Sequence, residues 1–356
     1  MKRYFIDYYT KFFIIIFLII LLFLMQKMNI LKVKIKNENE LFRNNPFNSN
    51  DLLNLFISKK NIIQPYIIKQ KLFCNNFYYY YNEIFEKKIR LSNFSLNGIS
   101  FPIFIYKKLD CISDIIFKRG YFEKKELFNV VDALEYYSHK KGIQNNKDIY
   151  VIDIGGNIGV YPLYLGVLGY TILTFEPSPI NYYILNKNYC YNQKSNFIII
   201  NKGLSNKEAN CSYYFHYNNI GNGMLLCDNI QKRVTQIKQR FYKLCNVTLT
   251  QLNNFYQYLS DKHIALIKID VEGSEGDALE GGIDLIKKYH VPFILVEYTP
   301  VYLKKHNTDP IKLLKLFTDN GYKISINGFL SKTFFSIDYI IKHIKLQINL
   351  YFIYMK

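Results

Sequence analysis

The sequence predicts an α/β domain on a doubly wound, mostly parallel sheet, and three observations predict it. Strand-like and helix-like segments alternate from about residue 145 to the C-terminus, the pattern of parallel crossovers. Residues 151–161, Val-Ile-Asp-Ile-Gly-Gly-Asn-Ile-Gly-Val-Tyr, read as strand, tight turn and helix start. Carboxylates then close several strands: Glu176, Asp270 and Glu297. Ligands of such sheets sit at those carboxyl ends.

In chain order, residues 12–25 come first, fourteen uninterrupted apolar residues with Lys2, Arg3 and Lys11 before and Lys27 and Lys32 after. A spanning helix needs roughly 20. Tyr8 and Tyr9 as interfacial aromatics, with Lys11 snorkelling, extend the segment, and no small-x-small cleavage site follows it. Residues 1–27 are therefore read as an uncleaved signal anchor with the membrane contact over 8–25, ahead of a cleaved signal peptide or a buried helix. The expectation is a single-pass membrane protein of the secretory pathway (ER or Golgi) with a lumenal body. Three sequons at Asn93, Asn210 and Asn246 agree with that placement. Residues 28–60, polar and rich in Asn and Lys, suit a tether. Residues 61–144 form a small accessory region with short aromatic runs. Its residues 123–141 carry Leu127, Val130, Val131, Leu134 and Tyr137 at helical spacing, closed by Gly142.

The main domain occupies 145–356. Strands are expected at 150–154, 171–175, 197–201, 264–269, 293–296, 322–326 and 347–354, with an inserted strand at 213–217. Helices are expected at 158–168, 180–193, 250–259, 274–289, 310–320 and 337–344, and residues 221–234 read as a loop. There is no internal repeat.

Composition excludes several functions. The net charge is +18, but the lysines are scattered in pairs rather than gathered into a patch, so no nucleic-acid partner is expected. The six cysteines, 74, 111, 190, 211, 227 and 245, contain no C-x-x-C pair, which argues against zinc and leaves any disulfide pairing open. The six histidines form no ligand-spaced pair. A divalent metal at the strand-end acids is chemically conceivable but unsupported by any ligand pattern, and no metal ligand is assigned.

The turn then selects a ligand. G-x-G-x-x-G fails from Gly155 at Asn157 and from Gly156 at Ile158, and the P-loop Gly-Lys-Ser/Thr is missing. What remains is Asp153-x-Gly155-x-Asn157-x-Gly159, bare enough for a ligand to approach the backbone. Glu176, twenty-one residues past Gly155, ends the second strand, where a carboxylate's two acceptor oxygens match the two donors of a ribose diol. S-adenosylmethionine and nicotinamide dinucleotides both carry that diol. The missing pyrophosphate spacing favours the former.

These residues also carry a resemblance. The segment 151–161, Phe175-Glu176-Pro177-Ser178-Pro179 with Asn181, Gly203-Leu204-Ser205, Val247-Thr248-Leu249 and above all Lys268-Ile269-Asp270-Val271-Glu272-Gly273-Ser274-Glu275 resemble the FkbM family of S-adenosylmethionine-dependent methyltransferases. Two positions depart from the family pattern: Gly156 replaces a usual alanine, and Thr250 stands where an acid is common. The resemblance implies a Rossmann-like methyltransferase fold. It also implies methyl transfer to a hydroxyl-bearing acceptor, a sugar, glycan or small molecule. Asp153, Gly155, Gly156, Asn157 and Gly159 would contact the methionine part of the cofactor, Glu176 the ribose, and Ser205 would lie near the adenine.

For the reaction, Asp270 at its strand end and Glu272 two residues on can take a proton from an acceptor hydroxyl. Lys268, on the same side of the strand as Asp270, can hold that acid ionised. Glu275, at a helix start, reads as architecture. Two other functions remain in view: a tethered binding module that keeps the fold without catalysis, and, less favoured, a nicotinamide oxidoreductase.

Overall fold

The computed structural model describes residues 62–75, 83–193, 195–227, 241–306 and 308–355. The anchor and tether expected over residues 1–60 lie outside these, as does the aromatic run at 77–81. Among the described residues, no helix is long and apolar enough to cross a membrane. The described residues fall within one compact unit, 60–356.

The N-terminal elements are α1 (Gln64–Asn75), α2 (Glu83–Glu86), a hairpin of β1 (Ile89–Leu96) and β2 (Ile99–Tyr106), α3 (Cys111–Arg119) and α4 (Lys124–Lys141). Next come β3 (Ile149–Ile154), α5 (Val160–Val167), β4 (Thr171–Phe175), α6 (Pro179–Tyr191) and β5 (Phe197–Ile200). A side sheet follows, from β6 (Gly203–Leu204), β7 (Ala209–His216), β8 (Asn219–Leu226) and β9 (Phe241–Thr250). The chain closes with α7 (Tyr256–Leu259), β10 (His263–Ile269), α8 (Glu275–Glu280), α9 (Ile283–Tyr289), β11 (Phe293–Tyr298), α10 (Pro300–Lys305), α11 (Pro310–Thr318), β12 (Tyr322–Ser325), α12 (Ile337–His343) and β13 (Ile348–Tyr354).

The central sheet has the order β12-β13-β11-β10-β3-β4-β5. Its strands are parallel from β11 to β5, and β13 runs antiparallel to both β11 and β12. Strand order reverses between β3 and β10, which opens a crevice at their carboxyl ends. Alternate residues of β3 feed opposite faces: Ile149 and Val151 enter one apolar cluster, Ile152 and Ile154 the other. Burial of each such side chain contributes roughly 1.5–3 kcal/mol, so the sheet is fixed from both sides.

Residues 61–144 share this core. Phe94, Ile103, Leu127 and Val130 belong to the same cluster as Val151, Ile172 and Leu185. Most of the region covers that face of the sheet, where α4 packs against β10, while α1 packs on the edge strand β5 and Ile63 joins the cluster of the other face.

Four expected elements differ. Residues 221–226 are strand, because β8 pairs antiparallel with β7 from Ser212↔Leu226 to His216↔Asn219. The helix expected at 274–289 is two helices. At Gly281 an added Cβ would lie 1.9 Å from the Ser205 carbonyl oxygen, so the chain is pressed onto its neighbour there. Residues 241–250 form a strand, which leaves only a short 3-10 turn and α7 of the helix expected from residue 250. Lastly, β7 begins at Ala209, four residues earlier than the periodicity suggested.

Disulfides join Cys74 to Cys190 and Cys211 to Cys227, while Cys111 and Cys245 are free.

Candidate active site

A cavity of about 300 Å³ opens at the switch point between β3 and β10, at the lower end of the range for small-molecule sites. The β3 turn supplies Gly155, Gly156 and Asn157 to its wall, the residue after β4 is Glu176, and the loop after β10 supplies Asp270 and Glu272. Glu297 of β11, Gln347 beside β13, Glu123 before α4 and Tyr161 of α5 complete that end. From the side sheet, Tyr213, Gly221, Asn222 and Leu225 close over the other.

The turn is bare for an internal reason. Gly155 has φ +91°, and a Cβ there would lie 1.9 Å from the Asp270 carbonyl oxygen. At Gly156 a Cβ would meet Thr174 Oγ1 at 2.2 Å, and at Gly159 it would meet Leu185. These three glycines are therefore demanded by neighbouring strands and α6, and ligand access is a by-product. Gly159 does not line the cavity; it sits at the N-cap of α5.

Asp153 also departs from the role the resemblance implied. Its side chain is 1% exposed and lies under the turn rather than on the cavity wall. Thr174 Oγ1 donates to its Oδ2 at 2.8 Å, and Lys268 Nζ stands 3.8 Å from its Oδ1. Ser205 is likewise off the wall: it is buried, its N–H donates to the Thr250 carbonyl, and its own carbonyl is overlain by Gly281. Thr250 bonds Glu208, away from the cavity.

Glu176 does reach the wall. It accepts N–H bonds from Asn157 and Ser178, each at 2.8 Å, tying the turn to the end of β4. Burial raises its pKa to about 8, against the pull of those two bonds. The Asn157 carboxamide oxygen is buried without a partner, and its Nδ2 donates to the Gly221 carbonyl at 3.3 Å. Asn181 reaches the same carbonyl at 2.9 Å, so β8 is held against the turn.

On the opposite side, Lys268 Nζ lies 3.2 Å from Asp270 Oδ2 and 4.9 Å from the Tyr161 ring centroid. Burial disfavours its charge, yet Asp270, Asp153 and Glu123 together raise its pKa. Lys268 is the single basic residue lining the cavity among the described residues.

Beyond it, carboxylate oxygens of Asp270, Glu272 and Glu297 lie within 4.8 Å of one another. Burial and then the charge of Asp270 raise Glu272 to about 8 and Glu297 to about 10, so Glu297 is protonated at neutral pH. Gln347 Nε2 donates to Glu297, and Asn222 Nδ2 donates to Glu272 at 2.6 Å. Glu272 holds φ +57°, a left-handed conformation that costs a non-glycine residue about 1 kcal/mol or more. Glu275 accepts from the N–H groups of Val271 and Gly273, and so shapes the loop without lining the cavity.

Sequence reasoning did not single out Glu123 or Gln347 for the site. Each comes from a segment far along the chain from the β3 turn. A Glu preceding a helix or a Gln preceding a strand gives no local signal.

Residues 153–324 match the methyltransferase FkbM domain. Methyltransferase 1 of Beauveria bassiana (strain ARSEF 2860) is 29% identical over 145 residues, covering 38% of this chain and 58% of that protein. Methyltransferase sdnD of Sordaria araneosa is 27% identical over 154 residues, covering 37% and 60%. The chain thus spans less than two thirds of the length of these curated relatives. Among solved structures, the T. thermophilus 16S rRNA N2 G1207 methyltransferase RsmC, in complex with AdoMet and guanosine, is similar at 10% identity. That match covers 75% of this chain and 51% of the other, with a TM-score of 0.36. The magnesium protoporphyrin IX methyltransferase ChlM of Synechocystis PCC 6803, with bound SAM, is 11% identical over 84% of this chain and 98% of its own, with a TM-score of 0.33.

Proposed function

Since residues 153–324 match the methyltransferase FkbM domain, we propose that the protein transfers a methyl group from S-adenosylmethionine to a hydroxyl of a sugar, glycan or small molecule. One observation carries the reading: the β3 turn, Glu176 and Asp270, distant in sequence, meet on one cavity at the strand-order reversal. The donor set fits the cofactor. Asp110, Glu123, Glu176, Asp270, Glu272 and Glu297 line the cavity against the one lysine. In a chain of charge +18 that is a local concentration of acidic groups and acceptor oxygens, suited to the N–H and O–H donors of the cofactor and acceptor. A dinucleotide's pyrophosphate would meet those same carboxylates, which disfavours the oxidoreductase alternative.

Glu176 would hold the ribose diol, because each carboxylate oxygen can accept beyond the one N–H it already takes. Asn157, with its unpartnered buried oxygen, would receive an N–H or O–H from the cofactor. When bound, the cofactor supplies an electrophilic methyl group. The chain's own part is to position the acceptor, exclude water and remove the hydroxyl proton. Asp270 and Glu272 line the same cavity and would face the acceptor, with Lys268 3.2 Å from Asp270 to orient it.

The membrane anchor over residues 1–27 and the lumenal placement belong to the same proposal. Two disulfides among six cysteines favour an oxidising compartment, and Asn93, Asn210 and Asn246 are all exposed. Glycosidase-sensitive mass shifts at those three asparagines would support it; unmodified asparagines would count against it. Isothermal titration of the full chain with S-adenosylmethionine tests the enzymatic reading. Micromolar binding is expected, weakened at least tenfold by Glu176→Ala. Absent binding, or binding indifferent to that substitution, overturns it.

A further inference from the structure

Glu123 occupies a position that neither the FkbM match nor the β3 turn explains. It stands at the N-cap of α4 with φ 46° and ψ 46°, a left-handed conformation for a non-glycine residue, and its side chain makes no capping bond to α4. Acids at this position ordinarily accept from the first N–H groups of their own helix. Here the carboxylate turns the other way, into the cavity, and accepts a 2.7 Å hydrogen bond from the Tyr161 hydroxyl. Backbone strain of that kind persists where the surrounding structure holds it, and it concentrates at working sites.

Lys268 and Asp270 of the β10 end line the same cavity as Glu123, and both lie within electrostatic reach of it. Asp270 already pairs with Lys268 at 3.2 Å, and Glu272 is taken up by Asn222. Glu123 has Tyr161 on one oxygen and keeps acceptor capacity toward the cavity.

Resting on the methyl-transfer reading, we propose that Glu123 is the general base of the reaction and that the N-terminal cover, residues 61–144, thereby completes the active site. The acceptor's hydroxyl oxygen forms the new bond to the methyl carbon as the carbon–sulfur bond of the sulfonium breaks and its electron pair stays on sulfur. The hydroxyl proton passes to Glu123 and from there to water. The donor bond from Tyr161 keeps the carboxylate aimed, and Tyr161 stays a donor because burial and Glu123 itself hold its own pKa well above the ordinary value.

The groups facing Glu123 set its titration. Burial raises its pKa to about 7, Lys268 opposes that, and Asp270 and Glu126 add to it, while the Tyr161 hydrogen bond lowers it. Tyr351 of β13 lies near enough to feel the charge of both Glu123 and Glu126. A carboxylate titrating near the working pH is well matched to proton removal.

The test uses the full chain, tritiated S-adenosylmethionine and a panel of neutral monosaccharides and their methyl glycosides, with carbon-13 carboxyl NMR on glutamate-labelled protein. Glu123→Gln should leave cofactor affinity within about threefold while lowering kcat on the accepted sugar by about a hundredfold or more. It should also erase a limb near pH 7 from the kcat/KM profile. The carboxyl resonance lost in that variant should titrate near 7 in the wild type and move to higher pH in Tyr161→Phe. Glu123→Asp should recover part of the rate. Absent cofactor binding by the wild type overturns the methyl-transfer reading and this assignment together. Cofactor binding without transfer to any sugar of the panel, or a Glu123→Gln rate within threefold of wild type, overturns the assignment alone.

Discussion

Lys268 and Asp153 are register partners on the adjacent parallel strands β10 and β3, and their side chains meet at 3.8 Å beneath the cavity floor. The pair ties together the two strands whose divergence creates the site. Lys268 then reaches on to Asp270 at 3.2 Å, so one ammonium group serves the interior and the cavity wall.

Lys268→Met should therefore cost about 3–5 kcal/mol, because it strands a buried carboxylate without its cation. Urea denaturation of the wild type and variant measures it. Adding Asp153→Leu should restore part of the loss, since removing both partners avoids an uncompensated charge. A single variant within about 1 kcal/mol of wild type would show that the pair contributes little to stability.

The glycine turn gives a prediction independent of any ligand. Gly155→Ala would press its Cβ against the Asp270 carbonyl, in a backbone conformation that alanine resists. A loss above about 2 kcal/mol is expected. It should be the same size in cofactor-free and cofactor-saturated protein once ordinary ligand linkage is subtracted. An effect confined to the cofactor-bound state would instead mean that the turn is bare for the ligand's sake.

Glu176→Gln should weaken S-adenosylmethionine by roughly tenfold or more while lowering stability by only about 1 kcal/mol. The amide keeps one carbonyl acceptor for the two N–H groups but replaces the second acceptor oxygen with an NH2 donor. Calorimetry and a thermal melt on the same preparation separate the two effects.

Stability of the cofactor-free protein should fall as pH rises. Glu123 and Glu275 are raised to about 7, Glu176 and Glu272 to about 8 and Glu297 to about 10. Between the ordinary carboxyl value near 4.5 and these values, the folded state binds protons that the unfolded state has released. The stabilisation is fully present below about 4.5 and is lost as pH climbs through 7 to 8 and beyond, by up to about 1.4 kcal/mol per unit for each group. Melting temperature is expected to drop from pH 5.5 to 8.5, with a shallower slope in Glu176→Gln. A melting temperature that rises over that interval would contradict the protonated state of these acids.

The sequence by itself determined the sheet. Apolar runs leading into acids at Phe175-Glu176, Ile269-Asp270 and Val296-Glu297 read as buried strands, and period and composition carry that information locally. It also brought the β3 turn and Glu176 together as candidates for one site, because they lie on consecutive strands about twenty residues apart, and both line the cavity. Tertiary structure decided the remainder. That Asp153 faces Lys268 rather than the cavity depends on the register of β3 with β10, a pairing between residues more than a hundred positions apart. The bareness of Gly155 depends on where the Asp270 carbonyl falls. Glu123 enters the site because α4 packs across β10 on the face shared with Val151 and Leu185. Long-range packing of this kind leaves no period or spacing in a single sequence, so a glutamate before a helix reads as a cap until the fold turns it toward the cavity.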